Sequence, residues 1–365
     1  MKRLGRLAIA VAAISLVLVG ALAGPARSAA PLAAAVTSFT IPGILHGVAA
    51  TSASNAWAVG STGAGNDLKT LILHWNGRKW SQVTNPKPLS GYLQAVTAVS
   101  ADNAWAVGAT EADKAILVMH WNGKAWSRQA DVPDVPGALN AVAVSGNSVW
   151  AVGQTDDLLS SLILHRTGNR WYVVPTEVPT DTEFFGVVAT GGNTALAGGG
   201  YSVPGGRRGL LMRWNGTVWK SVSNPLQVAN NVLYRLAASP AGAIWAVGAD
   251  LNRKLTAYSA TSMLWNGKTW RQVPVGPLPQ SSVLDGVAFV PGGTVWAVGF
   301  SFISVLIMRW TGHTWTQLPT PEDGLLSDLF NVAATSTDNA WAVGFVTPHS
   351  QAQTLILHWN GKTWS

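Results

Sequence analysis

The sequence predicts an all-β chain, a seven-bladed β-propeller of four-stranded antiparallel blades that is closed by the N-terminal strand. Three observations carry this reading. All 19 tryptophans fall into one pattern that is written seven times. Turn pairs such as Asn-Gly separate the short apolar runs of each unit. The runs are apolar on both sides, so every small sheet must be covered on both faces, and stacking like sheets around an axis meets that need.

The last tryptophan of each unit stands at Trp80, Trp126, Trp171, Trp219, Trp270, Trp315 and Trp364, a repeat of about 47 residues. Five positions earlier come Trp75, Trp121, Trp214, Trp265, Trp310 and Trp359, with Arg166 in the third unit. A segment of the type Ala-Trp-Ala-Val-Gly supplies Trp57, Trp105, Trp150, Trp245, Trp296 and Trp341, with Leu196 in the fourth.

Each unit then divides into four strands. The first is a run of small residues such as Gly47-Val48-Ala49-Ala50, and the second is the Ala-Trp-Ala-Val-Gly strand. The third, such as Thr70 to Trp75, ends at Asn-Gly, and the fourth, Lys79 to Thr84, ends near a proline. A two-residue type I′ turn at Asn76-Gly77 would pair Trp75 with Arg78 and Leu73 with Trp80, leaving Trp75 and Trp80 diagonal on one face. Near the N-terminus, Val36 to Pro42 aligns with Trp80 to Pro86, a fourth strand without the preceding three. It is expected to complete the seventh blade and cover its open edge.

Before that strand, Lys2, Arg3 and Arg6 precede an apolar run from Leu7 to Ala23, and small residues continue to Ala30. This is the three-part pattern of a secretory signal peptide, with cleavage expected after Ser28. The expected domains are a signal peptide at 1–28, a short linker at 29–35 and the propeller at 36–365. Residues 1–28 hold four of the 24 basic residues and none of the 17 acidic ones, so the net charge of +7 falls to +3 on cleavage. No later apolar run is long enough to span a membrane. A secreted monomer is expected.

Composition narrows the function. Charged residues make up 11% and hydrophobic residues 48%, which excludes a disordered chain. The small supply of Lys and Arg argues against nucleic acid as a partner. Cysteine is absent, so disulfides, thiolate zinc sites and cysteine nucleophiles are excluded.

The repeat resembles the secreted bacterial Asp-box (BNR-type) and photosystem II assembly-factor-like propellers, on Asn103 to Gly108 and on the hairpins Gly267-Lys268-Thr269-Trp270 and Gly361-Lys362-Thr363-Trp364. The resemblance spans about residues 36–365 and implies the propeller fold. The aspartate that names the box would stand where the chain has Trp75, Trp121, Arg166, Trp214, Trp265, Trp310 and Trp359, so it is missing in all units. Sialidase-type catalysis is therefore not implied.

Residues repeated in every blade read as scaffold, and function is sought where the repeat varies. His74, His120, His165 and His358 share one slot in the third strand, too far apart to converge on a metal; packed or hydrogen-bonded histidines are expected. Asn215-Gly216-Thr217 fits a glycosylation sequon, yet it is also the hairpin turn. The turns between first and second and between third and fourth strands are short and stereotyped. The loops of the opposite face are long and varied, with Ser61–Lys69, Gly200–Arg208, Asp250–Thr261 and the inter-blade runs Pro175–Glu183 and Pro274–Val283 as examples. On that face, the residue after the first apolar position of each inner strand should ring the channel mouth: His46, Gln94, Asn140, Phe185, Tyr234, Asp285 and Phe330. Arg235 and Asn331 should lie one position deeper.

Amides, aromatics, one acid and one histidine suit a polyhydroxylated ligand or an extended peptide. The expected function is a secreted module that binds an extracellular carbohydrate or protein through the varied face. The alternative is an extracellular hydrolase or lyase acting on a cell-wall or environmental polymer at the channel mouth. Asp156, Asp157, Glu183, Asp250, Asp285, Glu322, Asp323, Asp328 and His349 are the titratable groups of that face, and no motif pairs any two of them. No catalytic residue, metal site or cofactor is expected.

Overall fold

The computed structural model describes residues 40–365, apart from 85, 112–113, 158–159, 192–193, 227–229, 252–256, 280, 291, 322–324 and 349–350. The signal-peptide pattern and most of the Val36–Pro42 strand lie outside the described residues.

Among the described residues, seven antiparallel sheets follow one another along the chain, six of four strands and a seventh of three, each pairing its strands in order. The first strands of the seven blades are Ile44–Ser52, Gly91–Ser100, Gly137–Ser145, Thr182–Ala189, Asn231–Ala238, Ser282–Phe289 and Ser327–Ser336. Each packs against the first strands of the two neighbouring blades, so together they line the axis. The architecture is the seven-bladed propeller that the repeat predicts.

The core sits between blades. A single apolar cluster joins Leu45, Val48, Leu71, Leu73, Trp75 and Trp80 of blade one to Trp341, Val343 and Ile356 of blade seven, so the ring is closed by side-chain burial. At the seams, the third-strand indole of one blade meets the second-strand indole of the blade before. Trp75 lies 4.8 Å from Trp341, Trp121 4.9 Å from Trp57 and Trp359 5.1 Å from Trp296, ring centre to ring centre. Trp57, Trp150, Trp245, Trp296 and Trp341 are fully buried. The histidines of the shared slot stack on these indoles; His165 lies 3.7 Å from Trp150, within 3° of parallel.

The third–fourth hairpin departs from the predicted register. Trp75 pairs directly with Trp80, and Leu73 with Gln82, across a four-residue loop. Only Gly77 takes a positive φ there, while the Asn76 side-chain oxygen accepts from the backbone N–H of Arg78 and of Lys79. The asparagine acts as an acceptor closing the loop rather than as a left-handed turn residue. Asn215 does the same for Thr217 and Val218, so the sequon coincides with a working turn.

Closure also differs in detail from the sequence alignment. The Thr354 N–H donates to Ile41 O at 2.9 Å, and the Ile41 N–H donates to Thr354 Oγ1 at 3.1 Å. Blade one makes the same pair of bonds between Thr70 and Leu89. Ile41 therefore occupies the place of Leu89, several residues beyond the place the alignment assigns it. The start of the fourth-strand slot belongs to the other end of the chain, where Trp364 bridges Trp359 and Ser365 exchanges two backbone bonds with His358. Both ends share one strand position.

Two of the varied excursions are regular. Gly200–Arg208 continues its two strands outward to a tight turn, with Val203 opposite Gly206. Asp250–Thr261 likewise stays paired as far as Leu251 and Tyr258.

Candidate functional site: the mouth of the axial channel

All seven predicted ring positions share one backbone device. In blade one, Leu45 pairs with Gly60 and Gly47 with Val59, which leaves His46 as the extra residue of a β-bulge. Gln94, Asn140, Phe185, Tyr234, Asp285 and Phe330 hold the same position in the other six. A bulge bends the strand and re-aims its extra side chain. The final glycine of each Ala-Trp-Ala-Val-Gly segment makes room for it. A Cβ on Gly60, Gly108, Gly153, Gly199, Gly248, Gly299 or Gly344 would lie 1.8–2.2 Å from a backbone oxygen of the bulged strand. The glycine is retained at Gly199 even though blade four has lost its tryptophan to Leu196.

The side chains divide into three groups. One side of the mouth is aromatic: His46 lies 5.4 Å from Phe330 and 6.4 Å from Tyr92, and Phe330 stacks on Phe345 at 5.7 Å. Phe185 and Tyr234 make an edge contact at 5.4 Å on another side. Some predicted residues serve the frame instead. The Asn140 Nδ2 donates to Gln154 Oε1 and to Phe184 O, tying blade three to blade four. The Asn331 Oδ1 accepts from the Val332 N–H, and Gln94 is buried.

The third group is ionisable. Burial lowers the His46 pKa to about 4, with the Arg235 charge adding to the effect, so the imidazole is neutral. Burial lowers Arg235 to about 10, opposed by Asp285. Asp285 and Asp328 are both held above the usual carboxylate range by burial; Arg235 opposes this at Asp285, and the Asp285 charge adds to it at Asp328. Glu183 is raised to about 7 although Arg207 stands 3.5 Å away, because desolvation outweighs the ion pair. Burial and then the Glu111 and Glu183 charges push Tyr92 up to about 12.

Tyr92, Glu183 and Asp328 join the predicted ring without having been expected in it. Each stands two residues before a bulge residue, a position held elsewhere by Ile44, Ala138, Val232 and Val283. Of the other titratable groups of this face, Asp156 pairs with Lys114 at 3.4 Å, and Asp250 is raised to about 6 by burial against a Thr261 hydrogen bond. Glu322, Asp323 and His349 lie outside the described residues.

Buried polar atoms at this mouth lack partners among the described residues: His46 Nδ1, Arg235 Nε, Asp285 Oδ2 and Asp328 Oδ1. Buried polar groups are normally satisfied, so such a cluster calls for an explanation. No group of three or more His, Cys, Asp or Glu among the described residues is arranged to hold a metal.

No protein-family model matches the chain, and no curated protein matches it by sequence. Solved structures do match by shape. YCF48 bound to D1 peptide aligns at a TM-score of 0.52 and 18% identity, over 76% of this chain and 81% of that one. The propeller domain of the Trilobed protease from Pyrococcus furiosus gives 0.57 at 9% identity, over 89% and 95%. The fucose-specific lectin from Aleuria aurantia gives 0.50 at 12% identity, over 77% and 96%. These likenesses concern the fold.

Proposed function

We propose that the protein is a secreted binding module that receives a carbohydrate at the channel mouth. The observation that carries this reading is the set of unpartnered polar atoms on His46, Arg235, Asp285 and Asp328. Donors and acceptors are mixed among them, and a sugar hydroxyl can serve both. Phe330, Tyr92 and Tyr234 add aromatic surface beside the polar group, the combination by which sugar rings are held. A solved propeller of similar fold is a fucose-specific lectin, and another is bound to a peptide. Secretion rests on the signal-peptide pattern of residues 1–28.

A glycan array probed with the purified protein tests the reading. Saturable binding to a defined glycan, reduced at least tenfold by Asp285→Asn and by Tyr234→Ala, is the expected result. A silent array together with saturable binding of an extended peptide would overturn carbohydrate as the ligand.

A second reading has its own observation. Asp285 and Asp328 are two interacting buried carboxyls of raised pKa, the kind of pair that supplies an acid and a base in hydrolysis. Release of reducing ends from a polysaccharide, lost in both Asp285→Asn and Asp328→Asn, would establish the hydrolase.

A further inference from the structure

The stereotyped face is expected to be inert, yet its tryptophan pattern is broken twice, by Leu196 in blade four and by Arg166 in blade three. Between blades two and three the third-strand indole is replaced by Arg166. Its guanidinium carbon stands 5.1 Å from the centre of the Trp105 ring, much as Trp121 stands 4.9 Å from Trp57 one seam earlier. The arginine thus takes the indole's place over the neighbouring tryptophan, held by cation–π attraction. A cleft of about 320 Å³ lies there, walled by Asn103, Trp105, His120, Asn147, Arg166 and Asn169 among others.

The cleft is cationic. None of the residues lining it is acidic, and burial together with the Arg166 charge lowers the pKa of His120. Arg166 makes no ion pair among the described residues. One terminal N–H donates to Asn169 Oδ1 at 3.1 Å, and its Nε is buried without a partner.

A second departure from the repeat lies at the same place. In blades one and seven the Oδ1 of the equivalent asparagine accepts from a histidine Nε2–H, and its Nδ2 donates to a threonine: Asn55 to Thr51 and Asn339 to Thr335, each at 2.7 Å. Asn103 keeps the histidine contact, 3.0 Å from His120, but Val99 stands where the threonine would be. The Asn103 Nδ2 therefore has no partner among the described residues. Trp→Arg and Thr→Val each leave a donor facing one cleft.

We propose that this cleft binds a carboxylate-bearing sugar, a uronic acid residue. The guanidinium of Arg166 receives the carboxylate, and the amides of Asn103, Asn147 and Asn169 engage the ring hydroxyls. The volume favours a sugar over a bare carboxylate, since it falls at the lower end of small-molecule sites, roughly 300–1,000 Å³. The site is separate from the channel mouth and does not depend on its ligand.

Titration of the purified protein with glucuronate, followed by NMR, tests the proposal. Saturable millimolar binding is expected, at least tenfold tighter than acetate, with none for glucose. Arg166→Trp restores the residue of the other seams and should fold normally, with an unchanged or higher Tm, while abolishing binding. Asn103→Ala should weaken binding severalfold, and Asp285→Asn at the mouth should leave it unchanged. Acetate binding as tightly as glucuronate would reduce the site to an anion hole. Tighter binding of a dipeptide through its C-terminal carboxylate would make it a peptide site. Either result, retained binding in Arg166→Trp, or no saturable binding at all, overturns the proposal.

Discussion

The tryptophan ring at the seams and the bulge ring at the mouth use one segment, Ala-Trp-Ala-Val-Gly, in opposite ways. Its tryptophan faces the seam, where six of seven blades carry the same residue. Its glycine lies under the bulge, where seven blades carry His, Gln, Asn, Phe, Tyr, Asp and Phe. At the seams the side chain is the conserved feature of the repeat. At the mouth only the backbone is repeated, and the side chain is free to vary. A rigid frame repeated seven times can thus hold six different kinds of side chain at seven stations around one axis.

Removing a seam tryptophan should be the most damaging change. Trp296→Ala deletes a fully buried indole that meets Trp359 and Trp364, and a loss of about 4 kcal/mol is expected in denaturant unfolding. A loss below about 1 kcal/mol would deny the seams their structural role.

Next comes the bulge glycine. Gly153→Ala places a Cβ 1.9 Å from Ala138 O, a collision with backbone that no rotamer relieves. A cost of about 3 kcal/mol is expected by analogy with overpacked cores, with lost order at Asn140 in NMR spectra. An unperturbed Asn140 would break the link between glycine and bulge.

Closure offers a third test. Starting the chain at Gly43 removes the Ile41 bonds to Thr354 and exposes that edge of the seventh blade. A chain starting at Ala29 should melt several degrees higher than one starting at Gly43. Equal melting temperatures would mean that Trp364 and Ser365 suffice to hold the blade.

The ionisable group at the mouth predicts a smaller, pH-dependent effect. Glu183, Asp250, Asp285 and Asp328 have folded-state pKa values above their ordinary ones, so the folded state keeps protons that the unfolded chain has released. Stability contributed by these groups is therefore lost as pH rises from about 4.5 through 7. His46 is lowered and works in the opposite sense between about 4 and 6.5, so the decline should be clearest above 6.5. Melting temperature should fall between pH 6.5 and 8, and Asp285→Asn should flatten that slope. A stability that rises across this interval would contradict buried carboxyls at the mouth. The smallest effect is expected on the stereotyped face, where Lys124→Ala should change stability by less than about 0.5 kcal/mol.

Much of this was legible in the residues. Seven units, four strands in each and the positions of the ring residues follow from spacing, because a repeat encodes each hairpin locally and strand alternation has a period of two. The hairpin register lies two residues from the one that spacing predicts, since Asn76 closes its loop through a side-chain acceptor that spacing does not reveal. Spacing places His46 and Asp285 at the bulge because they occupy a repeated position. Glu183 and Asp328 are legible as titratable groups of the varied face, but their place two residues before a bulge, like that of Tyr92, is not, because the same position is apolar in the other blades.

The sequence by itself therefore determined the blades, the tryptophan seams and which residue of each inner strand stands at the bulge. Those are properties of single units, fixed by local alternation, turn chemistry and the need to bury both faces of each sheet. Tertiary structure alone decided that the Asp285 charge acts on Asp328, that the Arg235 charge acts on His46, and that Trp364 and Ile41 share one strand slot. It also decided that Arg166, over the Trp105 ring, lines a cleft. Each depends on side chains from different blades, and only closure of the ring brings them within range of one another.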